Sequence, residues 1–368
     1  MFMKIIKIFQ VAGIYPVRTF ELTVYQSNVE EKRFYGNLST FWSFFNLTIV
    51  LSLIIAIGMN NQIFFYDESS IGNLSDILVY YSLLFAHLVI IIESLRKRKH
   101  LVKYWKFYTR SLRISKMFRQ NIWIRKLFVK VLIHATITCL FELIIYIGIT
   151  SDREWTLFWS AEVFSLMITR LHNLLHIFLI DVIFFTLQDM NSRLKSDILW
   201  LKVIGEDKKF TKKFLYKNIK AIKTQFKNVM EMVLCVNRYF RWTQVFNMGQ
   251  TFIEITSELY WVYVFSVKVD TEFLWGKIVI IAIQYFPKLT TRCIKEAHEK
   301  LAFNINHIDV FIDDRELRSL IMEFSLLIAQ SPKYFTARNF FIIDYTLAGK
   351  MLSAVLTYLV IFISFEPR

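Results

Sequence analysis

The chain has 368 residues, of which 55% are hydrophobic and 17% aromatic, and its formal net charge is +15. A soluble globular protein is about 45–50% apolar, so this composition and the mean hydropathy of +0.40 exclude an ordinary single water-soluble core. The cations alternate with long apolar runs, which indicates membrane topology rather than nucleic-acid binding.

Residues 1–38 are predicted to be a cytoplasmic amino-terminal segment. Its first twenty residues are weakly basic and apolar, but the apolar run is short and no small-residue cleavage site follows. This pattern favours an uncleaved amphipathic arm that lies on the membrane surface over a secretory signal.

Seven stretches are apolar enough to be membrane spans, since a transmembrane helix needs about 20 apolar residues. They are 41–58, 74–95, 128–149, 156–186, 242–267, 274–291 and 340–365. The sequence therefore predicts an all-α polytopic membrane protein with seven transmembrane helices. The predicted division places helices 1–4 in 39–186, helices 5 and 6 in 242–294, and helix 7 with the carboxyl terminus in 340–368.

The loops between these spans differ in charge, which predicts the orientation of the chain. Residues 96–126 contain twelve Lys or Arg and no Asp or Glu, and 187–241 are also lysine-rich. Basic loops stay in the cytoplasm, so the amino terminus is expected inside and the carboxyl terminus outside. This orientation argues against a G-protein-coupled receptor. The Asn73-Leu74-Ser75 sequon falls in a predicted outer turn and makes Asn73 a glycosylation candidate.

Two cytoplasmic segments, 187–241 and 295–339, are too long for simple loops and are predicted to form helical anchor segments. In the first, Ile222, Phe226, Val229 and Val233 recur at steps of four, three and four residues, which is typical of one buried helix face. Such helices could stack below the membrane. Alternatively, they could lie separately on anionic lipid through lysines near residue 210.

The last predicted span carries a polar stripe. Ser353, Thr357, Val360 and Ser364 are spaced by four, three and four residues and share one helical face. A stripe of small and hydroxyl-bearing residues is suited either to tight packing against another helix or to lining a pore. Gly349 is predicted to break the helix between a cytoplasmic part and a membrane part.

The end of this span resembles a known family signature. Thr357-Tyr358-LVIFI-Ser364-Phe365 is similar to the terminal Thr-Tyr-x5-Gln-Phe motif of insect gustatory receptors, and 326–356 is similar to that family's final cytoplasmic segment. Two positions depart from the pattern. Ser364 stands where the family has Gln, and Asn339 stands where a Gly is usual.

This resemblance implies a ligand-gated cation channel in which four subunits each contribute their last helix to one central pore. Ser364 and Phe365 are then expected at the outer constriction, and Ser353, Thr357 and Val360 along the lining. The resemblance also implies that the cytoplasmic helices form the main contact between subunits, in a homotetramer or a heterotetramer with related receptors.

Polar and aromatic side chains in the outer half of the predicted bundle are candidates for a ligand pocket, because polar groups in a membrane face protein or water. The candidates are Tyr80, Tyr81, Glu142, Tyr146, Trp159, Glu162, Gln250, Glu254, Glu258 and Trp261. Carboxylates among aromatic rings suit a basic, alkaloid-like ligand through ionic and cation–π contacts, and suit a sugar less well. Alternatively, these groups pair with one another across helices.

Enzymatic motifs do not account for the remaining polar residues. His176 and Asp181 have the spacing of some membrane acyltransferases, and His172 and His176 could share a metal, but no third ligand is evident. The sequence contains no phosphate-binding loop and no nucleophile elbow. We therefore expect no enzyme activity, no cofactor and no metal.

These observations predict a gustatory-type chemoreceptor channel in the plasma membrane of sensory-neuron dendrites. Its expected partners are a small-molecule tastant, related receptor subunits and membrane lipid, with no nucleic acid. The alternative is a seven-span receptor or accessory subunit that conducts only beside related subunits.

Overall fold

The computed structural model describes most of the chain. The described residues are 6, 8–10, 12, 14–15, 29–59, 70–115, 120–149, 153–203, 208–267, 294–309, 315–338, 340–343 and 345–364. The predicted sixth span, 274–291, lies outside them. The helices are α1 Val29–Met59, α2 Ser70–Ser115, α3 Gln120–Ile149, α4 Arg153–Val203, α5 Lys208–Tyr239, α6 Thr243–Val267, α7 Ile294–Asp309, α8 Arg315–Gln330 and α9 Tyr345–Ser364.

Three helices in the described part of the chain are long and apolar enough to cross a membrane. The qualifying stretches are Thr40–Met59, Gly72–Ile114 and Glu162–Leu199. They contain the apolar cores of the predicted first, second and fourth spans.

Two of these helices are much longer than a membrane is thick. The 46 residues of α2 measure about 69 Å and the 51 residues of α4 about 77 Å, against a hydrocarbon core of about 30 Å. Neither helix contains proline, and the only glycine in either is Gly72, in the first turn of α2. The predicted boundary between 186 and 187 therefore falls within one continuous helix, because no residue there interrupts it.

Helix α5 lies antiparallel to the second half of α2 and carries its predicted apolar face into the main core. The predicted buried face of this helix is confirmed, because all four of its residues are buried: Ile222, Phe226, Val229 and Val233. Phe226 packs edge to face on Phe324 of α8, with ring centroids 5.6 Å apart. The helices predicted as anchor segments thus share one core.

Most of the residues described before residue 16 are buried in the protein, so this stretch is not the predicted arm on the membrane surface. Phe9 and Ile14 are buried in the core formed by α2, α4 and α5. The Asn46 side-chain amide donates to the carbonyl of Ala12 at 2.9 Å, and the Tyr239 hydroxyl donates to that of Ile14 at 3.0 Å. Irregular backbone can be buried here because side chains satisfy its carbonyls, a tertiary effect that no local pattern records.

The pore-helix candidate α9 is continuous from Tyr345 to Ser364, so the predicted break at Gly349 is wrong. A single glycine costs a helix only about 1 kcal/mol relative to alanine, which is too little to end one. The twenty residues of α9 measure about 30 Å, and their apolar part, Gly349–Ser364, measures about 24 Å.

The chain instead leaves helical conformation between α8 and α9, in a short hairpin that the sequence analysis did not predict. Strands β1 (Thr336–Ala337) and β2 (Phe341–Ile342) pair antiparallel around Arg338, whose φ is +50°. The guanidinium of Arg338 lies 3.7 Å from the centroid of Trp242, and the Thr336 amide donates to Asn237 at 3.2 Å. The hairpin therefore fixes the start of α9 to the turn between α5 and α6.

Candidate ligand site and pore helix

Helix α6 lies between α2 and α9 and is the element around which the candidate site is built. On the α2 side, the hydroxyls of Ser75 and Ser257 are 2.5 Å apart, and the rings of Phe85 and Phe246 have centroids 5.0 Å apart. These two contacts show that α2 and α6 run antiparallel. Tyr80 stands midway between Ser75 and Phe85, so it lies at about the level of residues 251–252.

The antiparallel register brings together several of the predicted pocket residues with one that was missed. The Trp261 indole nitrogen donates to Oδ1 of Asp76 at 3.1 Å. Asp76 precedes Tyr80 by four residues on α2, which places both on one helix face. This spacing could have identified Asp76 as a site residue from the sequence. We use the name outer polar cluster for Asp76, Tyr80, Tyr81, Glu162, Gln250, Glu254, Glu258 and Trp261.

The carboxylate of Glu254 is held by its neighbour one helical turn earlier. Gln250 and Glu254 are 6% and 5% exposed, and the Gln250 side-chain amide donates to Oε2 of Glu254 at 2.5 Å. This charge-assisted hydrogen bond offsets part of the cost of burying a carboxylate in an apolar bundle. Glu258, one turn further along, is only half buried. The predicted shared face therefore contains one buried and one half-buried glutamate.

The tyrosine pair on α2 approaches α4. Tyr80 is 1% exposed, and its ring packs edge to face on Tyr81 with centroids 6.4 Å apart. Glu162 on α4 is close enough to Tyr80 to interact with it electrostatically. Three helices, α2, α4 and α6, thus contribute side chains to the outer polar cluster.

Other predicted residues are placed differently. Glu142 and Tyr146 lie on α3 and Trp159 on α4, but their side chains fall outside the described residues. Asn73 is in the first turn of α2 rather than in the turn before that helix, where the sequence analysis placed it. The sequon did not show this, because such a motif is local whereas Ser75, its third residue, is buried against Ser257.

Helix α9 has two different faces. Val355 is fully buried, while Tyr358 packs edge to face on Phe252 and Phe362 on Tyr260, with centroids 5.5 and 6.0 Å apart. The stripe predicted to line a pore is exposed along its whole described length, comprising Ser353, Thr357, Val360 and Ser364. Phe365 lies outside the described residues.

The hydroxyls of the stripe already donate within their own helix. Thr357 Oγ1 donates to the Ser353 carbonyl at 3.0 Å, and Ser364 Oγ donates to the Ile361 carbonyl at 2.7 Å. Each hydroxyl therefore presents only acceptor lone pairs to its surroundings. Oxygen acceptors of this kind can contact a hydrated cation.

The two histidines on α4 pack against an aromatic ring. The rings of His172 and His176 lie 4.9 and 4.5 Å from that of Phe240, measured between centroids. Asp181 instead pairs with Lys130 of α3 at 2.7 Å. Across the described residues, no group of three or more His, Cys, Asp or Glu side chains is arranged to hold a metal.

Two solved structures share this fold over nearly the whole chain. The insect olfactory receptor OR5 from Machilis hrabei in complex with eugenol has a TM-score of 0.68 and 12% identity, covering 99% of this chain and 97% of that one. The structure of OR5 described without eugenol has a TM-score of 0.66 and 12% identity, covering 98% and 96%. No curated protein matches this chain significantly.

A family model described as 7tm Chemosensory receptor matches residues 5–367. The match includes the buried amino-terminal segment, the outer polar cluster and all of α9. Its members are receptors rather than enzymes, as the sequence predicted. The chain is therefore a member of the 7tm chemosensory receptor family, an all-α protein that crosses the membrane several times.

Proposed function

We propose that this receptor is a gustatory-type, ligand-gated, non-selective cation channel of the sensory-neuron plasma membrane. The observation that carries the proposal is the two-faced helix α9. One face packs on α6, and the other exposes Ser353, Thr357, Val360 and Ser364. The terminal motif, which contains Thr357, Val360 and Ser364, resembles that of gustatory receptors, which favours taste over smell.

A tetramer would place the exposed face of α9 against water and ions. In lipid, the acceptor oxygens of Thr357 and Ser364 would have no donor, whereas around a central axis they would face water and ions. Four copies of one helix, each resting on its own α6, would enclose such an axis. The proposal therefore includes a homotetramer, or a heterotetramer with related subunits.

The outer polar cluster is the proposed ligand site. It combines the Glu258 and Glu162 carboxylates with the Tyr80 and Trp261 rings, a set that favours a small basic molecule through ionic and cation–π attraction. A sugar would gain hydrogen bonds but no ionic contact. The fold relative OR5 was solved in complex with eugenol, which supports a small-molecule ligand for this fold.

Ligand binding and opening are coupled through α6 in this proposal. The helix contacts α2 through Ser257 and Trp261, and contacts α9 through Phe252 and Tyr260. A ligand that rotates or shifts α6 by differential contacts in the closed and open states would move the pore face directly.

The test is to express the chain alone in cells without related receptors and to record current during a screen of bitter amines and sugars. We expect an amine-evoked cation current. If the chain expressed alone gives no current and a related subunit restores the current, the result would instead support an accessory subunit. Silence in every combination, with the protein at the cell surface, would overturn the channel proposal.

A further inference from the structure

Exposed cations gather where the last turn of α5 meets the end of the apolar part of α2. The Ser94 hydroxyl donates to the Tyr239 hydroxyl oxygen at 3.1 Å, which fixes the level at which the two helices meet. Arg238 immediately precedes Tyr239, and Lys99 and Lys103 follow Ser94 on α2. All three cationic side chains are exposed.

These cations converge on one half-buried histidine. Burial lowers the pKa of His100, and Arg238, Lys99 and Lys103 are close enough to this ring for their charges to lower it further. The Nδ1 atom of His100 is buried and has no hydrogen-bond partner among the described residues. We use the name cation cluster for Lys99, His100, Lys103 and Arg238.

The described carboxylates in this region offset only part of the charge. Glu93 is engaged by Lys97 and Arg96, with which it forms ion pairs. Glu231 lies within electrostatic range of Cys235, as Lys103 and Arg238 do, and contributes one negative charge against the three cations. The cation cluster therefore keeps a net positive charge.

The geometry of the two helices places these charges at lipid headgroup depth. Lys99 and Lys103 lie four and eight residues beyond Leu95, or about 6 and 12 Å along α2, so the backbone of Lys99 falls within a headgroup layer about 5–8 Å thick and that of Lys103 just beyond it. Side chains lean toward the amino end of their helix, so those of α2 lean back toward the membrane and Arg238 of the antiparallel α5 leans away from it. The two sets of side chains meet at one depth.

We propose that the cation cluster binds the headgroup of a polyphosphoinositide in the cytoplasmic leaflet. The assignment to this leaflet uses the orientation predicted from the basic loops. Basic residues directly after a membrane span attract anionic lipid, and a headgroup with several phosphates brings matching charge to one point. The apolar face of this part of α2 is already buried through Tyr104 and Trp105, which leaves no surface for an amphipathic peptide.

The experiment titrates the full-length receptor, in neutral detergent micelles, against a fluorescent short-chain phosphatidylinositol 4,5-bisphosphate and follows anisotropy. The test variant combines Lys99→Gln, Lys103→Gln and Arg238→Gln. The matched control combines Lys213→Gln, Lys217→Gln and Lys220→Gln. These three exposed cations of α5 lie about 29 to 39 Å along the helix from Tyr239. Unchanged melting temperatures without lipid establish that both variants fold.

We expect the test variant to lose at least about tenfold in affinity, since each cation near the surface contributes about fivefold, and the control to lose less than about twofold. Short-chain phosphatidylserine at matched charge should compete poorly. Equal losses in both variants would show non-specific attraction and overturn the proposal. Equal competition by soluble inositol trisphosphate would also overturn it, because the site would then take a free inositol phosphate.

Discussion

Tyr358, the second residue of the terminal motif, packs edge to face on Phe252 of α6, with ring centroids 5.5 Å apart. On the opposite side of the same helix, Ser257 and Trp261 contact α2. The motif tyrosine is therefore not part of the exposed stripe. It connects the pore helix to the helix that carries Gln250 and Glu254.

Removing this aromatic contact should weaken the coupling between ligand binding and opening. An edge-to-face pair contributes about 0.5–1.5 kcal/mol beyond its buried area, so Phe252→Ala should change the ratio of open to closed channels by about 2- to 12-fold. Current at saturating ligand, normalised to surface protein, measures the change. Phe45→Ala removes one ring of the stacked Phe41–Phe45 pair on α1 and serves as the control. A Phe252/Tyr358 double variant with strictly additive effects would argue against direct coupling.

The half-buried Glu258 of α6 should discriminate between ligand classes. Glu258→Gln keeps the shape of the side chain and removes its charge, so we expect the half-maximal concentration for amines to rise by at least about tenfold. Glu254→Gln should act similarly, with an added loss from its bond to Gln250. Responses to neutral ligands should be unchanged. Glu231→Gln, at an exposed position of α5, is the control. An unaltered amine response in both test variants would show that Glu254 and Glu258 do not bind the amine through their charge.

Ser364 should influence the resting current. Ser364→Gln introduces the residue that resembling receptors carry, and the longer side chain should narrow the constriction and lower the basal current. Whole-cell recording without ligand, normalised to surface protein, measures this. Ser196→Gln, on an exposed part of α4, controls for the substitution itself. Basal current that stays the same would take Ser364 out of the gate.

The helices predicted as an anchor should lose stability in acid through His298. This side chain is 1% exposed beside Phe226, and burial, with Lys333 adding to it, lowers its pKa from 6.5 to about 4. The folded state therefore holds the neutral form, while the unfolded chain takes up a proton below about pH 6.5. The cost is absent above that pH and grows as pH falls towards 4, to about 3 kcal/mol at most.

The measurement compares unfolding midpoints of the solubilised receptor at pH 7.5 and pH 5. His298→Gln should reduce the loss of stability on acidification, whereas His307→Gln, at an exposed position of the same helix, should leave it unchanged. Other titrating groups are common to all three proteins and cancel in the comparison. An identical acid shift in the His298 variant would contradict the assignment.

The sequence predicted features that depend on periodicity and failed where tertiary partners decide. Ile222 and Phe226 follow a helical repeat, and their burial required no knowledge of neighbouring helices. Ile14 is buried because Tyr239, more than two hundred residues away, satisfies its carbonyl. Gly349 is a weak local signal that the surrounding helix overrides. The hairpin at Arg338 depends on Trp242 and Asn237, contacts that no local pattern contains.

The candidate site divides in the same way. Gln250 and Glu254 share a face by spacing alone, and their hydrogen bond follows from that spacing. The spacing of Asp76 and Tyr80 was readable in the sequence, whereas the contact of Asp76 with Trp261 depends on the antiparallel packing of α2 and α6. The exposure of Thr357 and Ser364 was compatible with either predicted role, because a stripe on one helix does not show what faces it.

The unbroken length of α2 has a mechanical consequence. A stiff rod of about 69 Å that pivots near its middle moves each end by about 3 Å when it tilts by only 5°. Asp76 sits near one end of this rod and Arg113 near the other. A displacement of the Asp76 end would therefore be transmitted to the Arg113 end, because no proline or glycine interrupts α2 between them.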